Sequence, residues 1–474
     1  MSKPDESVSI TAELEDEVFM FRRVDRHLEA LPYTEEGYKV HTNTSLARAL
    51  DKLAGSPFVS MIQVGSWKTD EPVLVKGEKA GTWQNPDVAV FQKHATPSPF
   101  GRGEETVMDP SYRRGTELKA DDISFSSLYK QGITKYLEKE LAPAMFVGKK
   151  LKIELYKLAI YEEGGHFDWH RDSTHSDAHH GTVLFALNTE WEGGELMLRH
   201  GGIEANIDMH PVPLRGQELR PIVVAFYTDT EHKVMPVTKG VRVVLQYNVE
   251  VVGEEPPAKE DDKETPLEEA ARRRKHLASH FTTYPNLDKT LIQGVINEIR
   301  KLYEQGTNIV AFPLTHLYRL ASIKKEYLKG TDSALFDALS NHFDVSIYPV
   351  VINFTDMGED LGGQDCVTYI YKATSKEDDS DSDSDSPSHY GYHSRRRVSN
   401  AIKGASFHLP GASAIQQISE KPFLEYIGNE SQMGEAKYYG GGMFIKPKNK
   451  MSRSVFEGEM SDSGEQVKKK RRAG

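Results

Sequence analysis

The sequence predicts an α+β protein with an antiparallel β sandwich or barrel at its centre, flanking helices, and a second, mixed α/β region towards its C-terminus. Within residues 150–250, short runs rich in β-branched and aromatic residues alternate with glycine or polar turns, a spacing typical of antiparallel sandwiches and barrels. Outside this stretch, apolar residues recur at helical spacing, for example at 126–141 and 288–304. With 474 residues, the chain is long enough for two or three domains.

The elements are expected in a simple order along the chain. A short helix at 14–31 and strands at 58–64, 72–75 and 88–91 come before a helix at 126–141. The central strands follow at 152–161, 182–187, 194–198, 222–227 and 241–251. The C-terminal region adds helices at 267–280, 288–304 and 334–343, a strand at 346–354, and a segment at 406–446 that should pair with an earlier strand.

Changes in composition divide the chain into five parts. They are an accessory region at 1–90, a central domain at 91–252, a charged, proline-bearing linker at 253–265, a C-terminal region at 266–450 and a disordered basic tail at 451–474. An acidic insertion at 376–396 carries too little apolar surface to order itself. The tail contains a basic run from Lys468 to Arg472 that suits nuclear import as well as a solvated end.

The composition excludes several classes of protein. The 59 Lys and Arg residues against 71 Asp and Glu residues give a net charge of −12, which argues against nucleic acid as a partner of the whole surface. The single cysteine, Cys366, rules out an intramolecular disulfide framework and fits a reducing compartment. No apolar stretch approaches the ~18 residues of a membrane span, and the N-terminus lacks a hydrophobic signal region. We therefore expect no membrane segment and an intracellular protein, nuclear or cytoplasmic.

Two nearby residues, His170 and Asp172, are spaced for metal binding. On a strand, side chains at i and i+2 share one face, so an imidazole and a carboxylate would meet one ion. His232 is the best candidate for a third ligand from a later strand. Two histidines and one carboxylate form the facial triad of non-heme Fe(II) oxygenases, which leaves three positions open for a keto acid and dioxygen.

Arg242 supports this interpretation. It follows His232 by ten positions and lies inside an apolar strand, where a guanidinium is costly unless it meets an anion. A dicarboxylate cosubstrate would supply that anion through a two-pronged, charge-assisted contact.

Three groups of residues resemble the prolyl 4-hydroxylase-type branch of the Fe(II)/2-oxoglutarate dioxygenases. The first is the pattern Tyr161-x-x-Gly-Gly-x-Phe-x-x-His170-x-Asp172; the others are Trp-Glu-Gly-Gly-Glu-Leu at 191–196 and His232 followed by Arg242. The sharp motifs cover about 152–249. More loosely, 95–122 and 425–430 are similar to long, uncharacterised fungal or protist members.

The resemblance implies a double-stranded β-helix, or jelly-roll, as the fold of the oxygenase core. It assigns His170, Asp172 and His232 to iron, Arg242 to the distal carboxylate of 2-oxoglutarate, and Tyr161 to the wall of the cosubstrate pocket. It implies Fe(II), 2-oxoglutarate and O2, with ascorbate as a candidate reductant. The implied reaction is hydroxylation of a C–H bond in a protein or peptide, with proline as the default side chain; it leaves the oligomeric state undetermined.

Other residues match parts of these patterns. His166 and Asp168 have the same spacing as His170 and Asp172 but follow a glycine pair where a turn is expected. His210 also has an arginine ten positions on, but it lies among prolines, which disfavour a central strand. The three histidines at 175, 179 and 180 read as a solvated loop near the site, and the glycines at 193–194 as a tight hairpin.

Two alternative functions remain open. One is a dioxygenase acting on nucleic acid; alkylation-repair relatives carry a second arginine six positions after the first, where this chain has Asn248. The other is a non-catalytic adaptor that keeps an oxygenase-like fold, against which the complete ligand set and Arg242 weigh. One departure from the family also stands: a second cosubstrate tyrosine is missing from 182–188, where the nearest positions are Phe185 and Ala186.

Overall fold

Two antiparallel sheets face each other in the central region. Strands and helices are numbered in chain order. The first sheet runs through β4 (Val59–Gln63), β21 (Ile222–Tyr227), β15 (His179–Ala186), β24 (Arg242–Glu254), β13 (Lys149–Tyr161), β11 (Thr116–Lys119) and β7 (Thr96–Pro97). The computed structural model describes residues 19–23, 28–30, 39–54, 59–63, 72–82, 85–102, 105–125, 127–146, 148–213, 219–220, 222–254, 289–356, 365–372, 404–411 and 438–448.

The second sheet lies against the first and completes a jelly roll. It runs through β1 (Phe19–Arg23), β18 (Ile203–Ile207), β17 (Leu196–His200), β22 (Glu231–Val234), β14 (His166–His170) and β10 (Arg113–Arg114). Four neighbouring strands of the first sheet, in the order β13-β24-β15-β21, face four of the second, in the order β14-β22-β17-β18. Along the chain, the strands therefore alternate between the two sheets, with β17 and β18 as a consecutive pair in the second. This is the double-stranded β-helix that the motifs implied, and the α+β fold class is confirmed.

The two longest strands show why the sequence forms these sheets. In β13, Leu151, Ile153 and Leu155 are buried while Lys150 and Lys152 are exposed, the alternation of a strand with one face on a core. β24 pairs with β13 on one side and with β15 on the other, and its apolar residues are buried throughout 243–245. A strand paired on both edges and covered on both faces forms the middle of the sheet.

Helices and short strands surround the jelly roll. Helix α2 (Val88–His94) and helix α3 (Ser127–Ala144) lie beside it, and Ile133, Leu137 and Leu141 of α3 are buried in its core. The short strands are β5 (Leu74–Val75), β6 (Glu78–Lys79), β8 (Phe100–Arg102), β9 (Glu105–Val107), β12 (Ile123–Ser124), β16 (Trp191–Gly193), β19 (Val212–Pro213), β20 (Leu219–Arg220) and β23 (Val237–Gly240).

A second unit with its own sheet and core follows the jelly roll. Its sheet runs through β2 (Leu28–Ala30), β28 (Asp365–Lys372), β27 (Phe343–Asp356), β31 (Gly441–Pro447), β25 (Ile309–Pro313), β29 (Ala405–His408) and β3 (Lys39–His41). Helices α1 (Ser45–Ala54), α4 (Lys289–Glu304) and α5 (Gly330–Ser340) supply residues to this core, and β26 (Tyr318–Arg319) pairs with β30 (Tyr438–Tyr439). The expected mixed α/β region is therefore present.

The N-terminal segment contributes to both units. Strands β1 and β4 extend the two jelly-roll sheets, whereas β2, β3 and α1 belong to the second unit. The expected helix at 14–31 is wrong where described, because 19–23 and 28–30 are edge strands whose pairing overrides local propensity. The expected strand at 88–91 is helix α2, since so short an apolar run does not distinguish helix from strand.

The remaining expectations divide into confirmed and undescribed ones. Helices at 126–141, 288–304 and 334–343 correspond to α3, α4 and α5, and the segment at 406–446 pairs with β25 through β29 and β31. The predicted helix at 267–280, the acidic insertion and the basic tail lie outside the described residues, as does nearly all of the linker. Across the part of the chain that the structure describes, no helix is both long and apolar enough to span a bilayer.

Candidate metal centre and cosubstrate site

His170, Asp172 and His232 converge between the two sheets. His170 ends β14 and faces His232 of β22 directly across the antiparallel pair, with ring centroids 4.0 Å apart. Asp172 follows two residues after His170, and its Oδ1 lies 3.8 Å from His232 Nε2. All three ligand atoms lie within 4.8 Å of one another, and all three residues are buried. The arrangement fits one shared metal ion.

Both histidines are oriented by backbone carbonyls. His170 Nδ1 lies 2.7 Å from the carbonyl oxygen of Asp168, and His232 Nδ1 lies 3.0 Å from that of Thr230. A carbonyl oxygen only accepts hydrogen bonds, so Nδ1 carries a proton in each ring, and this tautomer of a neutral imidazole has its lone pair on Nε2. This is how proteins fix the tautomer of a metal-binding histidine.

Asp172 is held in two places. Its backbone N–H donates to the carbonyl of Thr228 at 3.2 Å, and its Oδ2 accepts a hydrogen bond from the hydroxyl of Thr182. Oδ1 therefore remains on the side of His232. Thr182 was not identified from the sequence. The signal was nevertheless present, because a hydroxyl within the apolar part of β15 needs a buried hydrogen-bond partner, just as the buried Arg242 needs an anion.

The surroundings of His170 disfavour protonation of its imidazole. Burial, followed by the nearby His232, lowers the pKa of His170 well below its usual value. The His170 ring stacks on Phe167 at 3.4 Å and the His232 ring lies 4.6 Å from Phe226, so apolar walls surround both imidazoles. The lowered pKa keeps the His170 imidazole neutral, which is the form that binds a metal.

Arg242 projects from the first sheet towards the second and is almost fully buried. Its Nη2 contacts Met209 Sδ at 3.2 Å, its Nε has no hydrogen-bond partner, and no carboxylate of the described residues forms a salt bridge with it. Burial lowers the pKa of its guanidinium to about 10. A buried cation without a counter-ion is costly, and a carboxylate ligand would remove that cost. The chain thus fits a dicarboxylate such as 2-oxoglutarate.

The glycine pair of the Trp191 motif makes room for this arginine. Gly193 and Gly194 both have positive φ, and a Cβ on Gly194 would lie 3.1 Å from Arg242 Cδ. The expected hairpin is wrong, since β16 pairs with β23 whereas β17 pairs with β18 and β22. The glycines turn a corner between strands that have different partners.

Tyr161 lies next to Arg242 across the β13–β24 pair. The guanidinium carbon is 5.6 Å from the centre of the Tyr161 ring, and the ring is buried. An aromatic face at this distance attracts a cation and orients it. Tyr161 is therefore a direct aromatic neighbour of the Arg242 guanidinium.

The competing residues lie elsewhere. His166 bonds to the carbonyl oxygens of Gly164 and Ser111, and Asp168 forms an ion pair with Lys233 at 2.8 Å. His210 borders an open cavity of about 600 Å³ whose lining includes none of the three triad residues. These positions do not contribute to the convergent group.

The expectation of a solvated histidine loop is wrong for two of its three members. His179 and His180 are buried in β15, and burial lowers the pKa of His179 to about 3. His180 packs on Tyr327 of the second unit, with ring centroids 5.2 Å apart. The polar sequence of this segment gives no sign that it is buried, because the residue that packs on His180 lies more than 140 positions further along the chain.

A buried charged group beside the triad was also missed. Lys157 of β13 and Arg113 of β10 both contact Glu117 Oε2 at 3.0 Å. Burial, followed by the charge of Arg113, lowers the pKa of Lys157 to about 7. Lys157 shares the strand parity of Tyr161, which is the only sequence signal that it faces inward.

Comparison with known proteins identifies the family of this region. Residues 156–250 match the model of the 2OG-Fe(II) oxygenase superfamily. No curated protein matches the chain.

Solved structures give only weak likenesses. A Pseudomonas putida prolyl-4-hydroxylase matches with a TM-score of 0.28 and 18% identity, over 44% of this chain and 100% of that one. A Trichoplax adhaerens prolyl hydroxylase, solved with a peptide fragment of the hypoxia inducible factor oxygen degradation domain, matches with a TM-score of 0.27 and 14% identity, over 43% and 89%. A viral collagen prolyl hydroxylase from Paramecium Bursaria Chlorella virus-1 matches with a TM-score of 0.21 and 18% identity, over 30% and 81%.

Because these TM-scores are low, the assignment depends on the family match and on the strand order. The family implies Fe(II), 2-oxoglutarate and O2, and the triad and Arg242 offer the donors that these groups need. The segment 156–250, which forms most of the jelly roll around the triad, belongs to the 2OG-Fe(II) oxygenase superfamily.

Proposed function

We propose that this protein is an iron- and 2-oxoglutarate-dependent dioxygenase that hydroxylates a side chain of a protein or peptide, with proline as the first candidate. The observation that carries the dioxygenase activity is the convergence of two imidazoles and one carboxylate in the same jelly roll as a buried guanidinium that forms no salt bridge among the described residues. The choice of a protein side chain follows from the likeness of the Tyr161-to-Asp172 motif to the prolyl 4-hydroxylase branch.

Each residue has a defined part in this proposal. Fe(II), once bound with 2-oxoglutarate and O2, supplies decarboxylation of the keto acid and hydroxylation of a C–H bond. His170 and His232 present Nε2 to the metal, and Asp172 presents Oδ1. Arg242 binds the distal carboxylate of the cosubstrate beside the ring of Tyr161.

A matched pair of variants tests the metal ligands. His170→Ala should abolish metal binding and 2-oxoglutarate consumption, because the ion loses one of three protein donors. His166→Ala, four residues earlier on the same strand, should keep both, since His166 bonds only to carbonyl oxygens. Succinate formation with and without Fe(II) is the measurement, and wild-type turnover that does not depend on iron would refute the proposal.

The substrate needs a separate measurement. Candidate proteins are incubated with the wild type or with His170→Ala and analysed by mass spectrometry for a gain of one oxygen. A proline-specific gain that requires intact His170 supports the prolyl assignment. Loss of a methyl group from a methylated oligonucleotide incubated in the same way would instead move the protein to the alkylation-repair type of substrate, because a hydroxylated N-methyl group leaves as formaldehyde.

A further inference from the structure

One short turn contacts two of the three proposed metal ligands. Residues 228–230, which we call the ligand turn, connect β21 to β22 and are fully buried. The carbonyl of Thr228 accepts the backbone N–H of Asp172 at 3.2 Å, and the carbonyl of Thr230 accepts His232 Nδ1–H at 3.0 Å. The position of this turn therefore fixes two of the three proposed ligands.

The middle residue of the turn points to the second unit. The Asp229 carboxylate accepts hydrogen bonds from three groups of the loop 314–330, which we call the docking loop. Lys329 Nζ lies 2.8 Å from Oδ1, and His316 Nδ1 and the Leu317 backbone N–H lie 3.1 and 3.0 Å from Oδ2. The Asp229 and His316 side chains have no solvent exposure, and that of Lys329 has 2%.

The docking loop is itself tightly organised. Asp332, at the start of α5, accepts hydrogen bonds from the backbone N–H groups of Thr315 and His316 at 2.8 and 3.0 Å and from the Tyr318 hydroxyl at 2.7 Å. The Tyr318 oxygen in turn accepts the Lys329 backbone N–H at 3.0 Å. His316 and Lys329 thus reach Asp229 from a loop whose shape is set by the core of the second unit.

His200, Asp229 and His316 have the composition of a second metal site, and their ligand atoms lie within 4.8 Å of one another. Two features argue against a metal there. The Lys329 ammonium already neutralises Asp229 and would repel a cation, and His316 Nδ1 must carry a proton to bond a carboxylate. Although burial alone would raise the pKa of Asp229, Lys329 and His316 hold it well below its usual range. The cluster is a charge-paired contact between the units.

We propose that Asp229 is a positioning residue through which the second unit controls metal affinity at the oxygenase centre. The docking loop binds the side chain of Asp229 through three hydrogen bonds, and Asp229 is the middle residue of the ligand turn. The backbone carbonyls on either side of Asp229 accept hydrogen bonds from Asp172 and His232. Loosening the loop should therefore weaken metal binding without removing any ligand. The inference rests on the metal-binding role of the triad proposed above.

Full-length variants at His316 test this relay. His316→Leu removes one of the three donors to Asp229, whereas in His316→Asn the side-chain amide takes the place of Nδ1–H. We expect Mn(II) affinity, measured from free Mn(II) by electron paramagnetic resonance, to fall about tenfold in His316→Leu, the lower end for groups supporting metal ligands. His316→Asn should recover most of it. Ile299→Val, a core change in α4 that removes no hydrogen bond of the docking loop or the ligand turn, should lower the melting temperature and leave affinity unchanged.

A charge-neutral double variant covers the case in which His316→Leu does not fold. Asp229→Asn/Lys329→Met removes both charges together, so no buried ion is left unpaired, and it should show the same tenfold loss. Equal Mn(II) affinity in the wild type, His316→Leu and the double variant would overturn this inference alone. Absence of Mn(II) binding by the wild type would overturn the proposed function as well. Two bound equivalents in the wild type, one of them lost in His316→Leu, would show that the cluster is itself a metal site.

Discussion

At the scale of single residues, the site depends on polar groups that are kept buried for a purpose. Arg242 is 1% exposed yet has only a sulfur atom as a close partner among the described residues. An apolar residue at this position would make the fold more stable, because a buried charge without a counter-ion lowers the free energy of unfolding. Its presence in the middle strand of the sheet is most simply explained by an anionic ligand.

Replacing Arg242 should separate binding from stability. In Arg242→Met we expect 2-oxoglutarate affinity to fall by about a hundredfold or more, equivalent to ~3 kcal/mol, since a carboxylate loses its partner. The melting temperature of the ligand-free protein should stay level or rise, because the unpaired charge is gone. Calorimetric titration with 2-oxoglutarate in the presence of Mn(II) and thermal denaturation measure the two effects.

Arg300→Met, on the exposed face of α4, is the control, and both quantities should remain at wild-type values. A large loss of stability in Arg242→Met without any loss of 2-oxoglutarate affinity would mean that the arginine serves the fold rather than the cosubstrate.

At the level of secondary-structure elements, the corner at Gly193–Gly194 links the pairing of the strands to the space around Arg242. The chain leaves β16, which pairs with β23, and enters β17 of the second sheet within two residues. Gly194 has φ of +69°, and its neighbours are Val237 and Arg242. A side chain at Gly194 would be strained by the left-handed backbone conformation and would also crowd Arg242.

Two glycine substitutions separate the effect of backbone strain from the effect of crowding Arg242. Gly194→Ala should destabilise the protein by about 1–2 kcal/mol through the left-handed backbone and should also weaken 2-oxoglutarate binding, because its Cβ would lie 3.1 Å from Arg242 Cδ. Gly77→Ala has a similar φ of +85° but nothing within 4 Å of the new Cβ, so it should show the backbone cost alone. Urea denaturation and 2-oxoglutarate titration compare them, and unchanged binding in Gly194→Ala would contradict the packing argument.

At the scale of the whole molecule, one buried amine should shape the pH dependence of stability. In the folded protein, burial and the charge of Arg113 lower the pKa of Lys157 from 10.5 to about 7. Between these two values the unfolded chain binds more protons than the folded one, so stability rises with pH. Below pH 7, Lys157 is protonated in both states and its buried charge lowers the free energy of unfolding by the full amount. This destabilisation disappears as the pH approaches 10.5.

Lys157→Met should therefore flatten the pH profile of the metal-free protein. The wild type should gain up to about 1.4 kcal/mol of unfolding free energy per pH unit from this group between pH 7.5 and 9.5, and the variant should lack that gain. Lys152→Met, a half-exposed lysine on the same strand, serves as the control and should keep the wild-type slope. Parallel pH profiles for the wild type and Lys157→Met would show that Lys157 is not buried as a neutral amine.

The two units are joined by buried contacts that sequence patterns do not show. The docking loop reaches the ligand turn through Asp229, and Tyr327 covers His180. Each of these pairs is separated by about 100 residues or more. Local periodicity carries no information on such pairings, because it depends only on neighbours along one element.

The candidate ligands of the site and the class of the fold could be read from the sequence alone. His170 and Asp172 are two residues apart on one strand, and Arg242 lies in an apolar strand, so strand parity and the cost of burying charge were sufficient to predict them. The family motifs added the jelly roll, which the strand order confirms.

The groups that surround these candidate ligands could be identified only from the folded protein. Thr182, the ligand turn and Lys157 became visible once the strands were paired, and the edge strands in 19–30 replaced a predicted helix. The physical reason is common to these cases. Their conformation or role depends on partners distant in sequence, and the energy of those long-range contacts outweighs the local preferences that a sequence pattern records.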